Sequence, residues 1–125
     1  MPILQDHEVR AQYVEAMGSD LGDLCHELRN DLTWLQQKWS EFRELFGHGP
    51  ERIELLNSVS SSFVYFLHVL MFEDAMLHLA RLTDSSNTFG RSDRANLTVM
   101  RLPESISEPA LKNHVEAAVE LARKK

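Results

Sequence analysis

The chain has 125 residues, 43% of them apolar and 26% charged, and a net charge of −6. That is one domain's worth of sequence, a poor fit to two, with enough apolar side chain to bury a core. The acidic balance disfavours a dedicated DNA-binding module, which carries an excess of basic charge. The lone cysteine, Cys25, excludes an internal disulfide and a cysteine zinc cluster, and it suits a reducing cytoplasm. Met1-Pro2-Ile3-Leu4-Gln5-Asp6 has neither the basic nor the apolar region of a signal peptide. No unbroken apolar run approaches the roughly 20 residues that cross a bilayer, so no membrane association is expected.

Helical periods dominate, and no sustained period-two alternation supports a strand. The spacing of Val9, Tyr13 and Ala16/Met17 predicts a first helix over residues 6–17, broken by Gly18-Ser19. From Asp20, a plausible N-cap, Leu21, Leu24, Leu28, Leu32, Leu35, Trp39, Phe42 and Phe46 recur at steps of three or four. That stripe predicts one long amphipathic helix. Gly47-His48-Gly49-Pro50 ends it and starts the next, with Pro50 at a first helical position, so the two helices should form an antiparallel hairpin.

The third helix is expected from Glu51 to about Leu82. Ser58, Ser60, Ser61 and Ser62 are poor helix formers and mark a possible bend. From Phe63 to Ala80 the helix is apolar nearly all round, which suits either a central helix or one half-covered by a partner subunit. The small size of the domain favours the partner and hence a homodimer. Residues 83–96 are polar and read as a mobile loop. Leu97 to Leu102 suggests a short helix, and Ser107 an N-cap for a last one carrying Leu111, Val115, Ala118 and Ala122. The expected fold is therefore all-α. It is a single antiparallel helical bundle over residues 1–125, with two long helices, a polar loop and a C-terminal helix.

Charge is uneven along the chain. Residues 1–60 carry eleven acids and five bases, while residues 61–125 carry eight of each. The one locally basic piece holds Arg91, Arg94 and Arg101, the candidates for contacting nucleic acid.

Asp74, His78, Arg81 and Asp84 are spaced to fall near one face of the third helix, beside its most apolar stretch. One reading is an acid–base or phosphate site, with His78 moving a proton and Arg81 binding an anion. The other is a structural polar network that pairs buried charge and fixes register, and it is the better supported. Asp74 and His78 also have a spacing that can share a metal, with His68 earlier on the helix. Without HExxH or a second acidic–histidine pair, that spacing reads as a hydrogen bond, so no metal and no cofactor is expected. The scattered glycines do not form a phosphate loop. Cys25 and His26 point to different helix faces and do not make a nucleophile–base pair.

The run from Phe72 to Asp84, followed by a polar loop and Asn96-Leu97-Thr98, resembles the abortive-infection, AbiU-like branch of the HEPN superfamily. Trp39, Phe42-Arg43-Glu44-Leu45-Phe46-Gly47 and Leu55-Leu56-Asn57 extend the likeness over most of residues 35–102. The resemblance implies a dimeric helical bundle of a bacterial defence or toxin–antitoxin type system. It also implies that active members join two R-x4-6-H motifs across the dimer and cleave RNA without a metal. There arginine would stabilise the phosphorane and histidine would move the 2′-hydroxyl proton. The one literal match here is Arg43-Glu44-Leu45-Phe46-Gly47-His48, at the end of an early helix rather than in a late one. The chain thus reads either as a shortened member lacking the catalytic late helix or as one whose catalysis is absent, with Asp74, Arg81 and Asp84 as shared core residues.

Three functional readings follow. The first is a dimeric HEPN-like component without ribonuclease activity, able to bind a protein partner from the same locus. The second is a metal-independent ribonuclease using Arg43 and His48, or His78 and Arg81. The third is a plain interaction module docking through Phe63–Ala80.

Overall fold

A computed structural model describes residues 5–88 and 91–124, with backbone alone at residues 88 and 91–94. The fold is helical, as the periodicity predicts: α1 spans Asp6–Met17, α2 Ser19–Phe46, α3 Pro50–Leu82 and α4 Pro109–Arg123. Contacts divide the chain into two units. One holds residues 1–31 and 81–125, the other residues 32–80.

In the first unit, α1 lies against the start of α2. The backbone breaks between them at Gly18, where φ is +85°, a conformation that side chains bearing a Cβ rarely adopt. Four residues on, a Cβ built at Gly22 would lie 2.7 Å from the Tyr13 carbonyl oxygen and the Val14 backbone. Only glycine lets the helices approach this closely. Charged groups flank the crossing. Arg10 Nε and its second guanidinium nitrogen reach the two Asp23 carboxylate oxygens at 2.7 and 3.0 Å. Asp6 Oδ1 stands 3.0 Å from Nε2 of the buried His26 and accepts from Asn30 Nδ2 at 3.2 Å. Leu24, Leu28, Leu82, Thr98 and Ile106 are the buried residues around which this unit closes.

In the second unit, α2 and α3 form the expected antiparallel hairpin. Lys38 meets Asp74, Phe42 meets His68 and Phe72, and Phe46 meets His68, so one sequence number rises as the other falls. An aromatic ladder holds them: Trp39 stacks on Phe42 with centroids 5.2 Å apart, and His68 lies edge-on to Phe46 at 4.8 Å. The bend foreseen in the serine run falls at Ser60, whose φ and ψ of −165° and 96° are not helical. Two residues earlier, Ser58 Oγ donates to the Leu55 carbonyl at 2.6 Å, a local bond that competes with the helical ladder.

Along α3, Val64, Ala75, His78 and Leu82 are buried, at helical spacing on one stripe. Much of its remaining apolar surface is open within the chain. Val59 is 83% exposed, and Phe63, Phe66, Leu70 and Leu77 between 62% and 66%. The helix is therefore not central, which was one of the two arrangements its composition allowed. By length and composition α3 could also span a bilayer.

Residues 83–96, expected to be irregular, carry a small antiparallel ribbon: β1 (Asn87–Thr88) pairs with β2 (Arg91–Ala95), with an irregularity in register between Asn87 and Thr88. A strand of two residues is too short to show alternation. The short helix expected from Leu97 to Leu102 is a single 3-10 turn, Val99–Arg101, and a second, Pro103–Ser105, follows it. The N-cap of α4 is Glu108 rather than Ser107: its carboxylate accepts from the Leu111 N–H at 3.3 Å, with Pro109 at the first helical position.

Candidate functional site

Arg43 and His48 come from the last turn of α2 and the link to α3. They line one open groove of about 380 Å³, together with Trp39, Ser40 and Glu44. The Gly47 N–H donates to the Arg43 carbonyl at 2.7 Å, which closes the helix and sets His48 just beyond its end. His48 Nε2 stands 3.1 Å from Glu44 Oε2. The hydrogen bond from His48 holds the Glu44 carboxyl below its usual range, with the imidazole's charge adding to the effect. The groove thus presents an arginine and a histidine, with the histidine nitrogen already directed at a carboxylate. The carboxylate orients the ring through Nε2, and Nδ1 is the nitrogen that would take a proton from a substrate.

Of Asp74, His78, Arg81 and Asp84, the first two belong to the hairpin unit and the last two to the first unit. Asp74 is an exposed partner of Lys38, Nζ to Oδ2 2.6 Å, across the hairpin. His78 is buried, 1% exposed, on the inward stripe of α3. Arg81 and Asp84 belong to the first unit and line a polar cavity of about 360 Å³ with Asp31, Asn96 and Leu97. Burial at His78 leaves its imidazole without access for a phosphodiester. Asp84 Oδ1 accepts the Ser85 N–H at 2.8 Å, opening the turn that follows α3. Among the described residues, no three of His, Cys, Asp or Glu cluster closely enough to hold a metal ion.

Of the basic candidates, the side chains of Arg91 and Arg94 lie outside the described residues. Arg101 is half-buried and donates to the Asn96 carbonyl at 3.4 Å, so it braces the loop. Asn96 and Thr98 brace the same loop. Asn96 Nδ2 donates to the Ser85 carbonyl at 3.0 Å, and the Asn96 N–H to the Ser86 carbonyl at 2.8 Å. The Thr98 hydroxyl, fully buried, faces the carbonyls of Leu82 and Asp84 at 2.9 and 2.7 Å. In the sequence Thr98 stands out only within the family-like Asn96-Leu97-Thr98, since a threonine in a polar stretch carries no periodic signal. His26 gives no signal in the sequence beyond its place beside Cys25, whose thiol burial pushes up.

With the hairpin, the polar loop and the α3 stripe in place, the sequence can be set against known families. The AbiU2 family model of the HEPN superfamily matches residues 18–125, and the chain belongs to this family. It is an abortive-infection HEPN-like protein. No curated protein and no solved structure matches it.

Proposed function

We propose that the chain is a dimeric component of a bacterial, cytoplasmic defence or toxin–antitoxin type system, without ribonuclease activity of its own. The observation that carries this reading is the open apolar face of α3. Phe63, Phe66, Leu70 and Leu77 lie on one side of the helix at helical steps, each more than three-fifths exposed. A monomer rarely leaves such a contiguous patch in water, and burying each of these side chains is worth about 1.5–3 kcal/mol. A two-fold axis through α3 covers the patch with its own copy, because a two-fold interface is self-complementary. Glu73 and Asp74 within the helix disfavour a bilayer as the cover.

Light scattering tests this directly. The wild type should have the mass of two chains, and Phe66→Glu the mass of one, with helical circular dichroism retained. A wild-type monomer overturns the dimer. A dimer that Phe66→Glu leaves intact places the interface elsewhere.

A second reading is supported by the shared groove of Arg43 and His48: a ribonuclease whose composite site forms when two copies meet. It requires the 2′-hydroxyl of an RNA to reach the other ring nitrogen of His48, Nδ1.

A further inference from the structure

A separate groove of about 190 Å³ runs between α2 and α3, lined by Trp34, Gln37, Lys38, Glu41, Met71 and Asp74. Trp34 is 54% exposed at its rim, unusual for the most apolar-rich side chain a protein can present. A cation already lies there: Lys38 Nζ is 2.6 Å from Asp74 Oδ2 and 5.9 Å from the centre of the Trp34 ring. The groove thus accommodates positive charge against an indole and a carboxylate. It also holds a second carboxylate, Glu41, so two negative charges face one ammonium. The surroundings have the same sign, with six acids and three bases in residues 32–80.

We propose that this groove receives an arginine side chain from a basic segment of a second protein, with its guanidinium stacked on Trp34 and forked onto Glu41. Arginine suits it better than lysine. Its planar guanidinium stacks on an aromatic face, pairs with a carboxylate through two N–H groups and is weakly hydrated. The occupant is a different, basic protein, because two carboxylates against one ammonium, in surroundings of the same sign, are complementary to a basic segment. The inference rests on the reading of the chain as a partner-binding component and gives that partner its chemistry.

The probe is a nine-residue peptide alternating arginine and glycine, titrated at low salt into the nitrogen-15-labelled full chain, with the two indole N–H resonances followed by NMR. The Trp34 resonance should shift saturably and Trp39 much less. Glu41→Gln should weaken binding three- to ten-fold, and Trp34→Leu should remove it. The same peptide with lysine for arginine should bind several-fold more weakly. Glu41 is exposed, so Glu41→Gln leaves the fold intact and keeps the test readable even if Trp34→Leu unfolds the chain. A shift that never saturates, or equal binding by wild type and Glu41→Gln, overturns the proposal. A Trp34 shift produced by added unlabelled chain assigns the groove to a second copy and also overturns it. Repeating the titration with Phe66→Glu separates the two interfaces: binding should persist in the monomer, whereas its loss there would make the groove a product of the dimer.

Discussion

The hydroxyl of Thr98 stands 2.9 Å from the carbonyl oxygen of Leu82, the final residue of α3. Carbonyls in the last turn of a helix have no partner within it, and a buried one is costly to leave unmet. Thr98 also reaches the Asp84 carbonyl and accepts the Met100 N–H at 3.3 Å. One buried side chain thus ends the long helix, fixes the turn at Asp84 and caps the first 3-10 turn. Thr98→Val keeps the shape and removes the hydroxyl. It should cost about 1–3 kcal/mol, measured by urea unfolding, and a loss under 0.5 kcal/mol would show that the hydroxyl is not used.

Gly22 makes a second prediction, by sterics alone. A methyl group there meets backbone atoms of α1 at 2.7 Å, and backbone cannot swing aside as a side chain can. Gly22→Ala should destabilise by about 1–3 kcal/mol through the forced shift, although alanine is the better helix former. Thermal unfolding decides between them, since a stabilised variant would mean that α1 does not sit this close.

Acid should weaken the fold in a defined direction. The hydrogen bond from Arg10 holds the Asp23 carboxyl below its usual range, as that from His48 does for Glu44. The folded chain therefore binds fewer protons than the unfolded one as these groups titrate, and stability rises with pH there. The contribution is complete above the ordinary carboxylate values, about 4, and is lost as pH falls through the lowered ones. Asp23→Asn should flatten part of this slope in melting temperature between pH 3 and 5. The effect should be small, because exposed pairs are screened by water. An unchanged slope would show that the Arg10 pair adds nothing.

Much of this architecture is written in the sequence because it rests on repeated residues. The α2 stripe from Leu21 to Phe46 and the break at Gly18 recur or punctuate at fixed spacing, so helix limits follow from them. The antiparallel hairpin follows from the short link at Gly47 to Pro50. Other features rest on single meetings between distant residues and leave no periodic trace. Asp74 finds Lys38, 36 positions earlier on the facing helix. Thr98 finds the end of α3, and Gly22 serves a crossing whose other half is Tyr13 and Val14. The α2 stripe leaves Trp34 off it, but nothing in the spacing says that Met71 and Asp74 line a groove with this indole.

The most direct test of the functional reading is RNA degradation in EDTA by purified wild type, with His48→Ala and His78→Ala alongside. No cleavage by the wild type is the predicted result, with His78 buried and the Arg43–His48 motif at the end of an early helix. Cleavage by the wild type that His48→Ala abolishes would contradict it and make the Arg43–His48 groove a ribonuclease site.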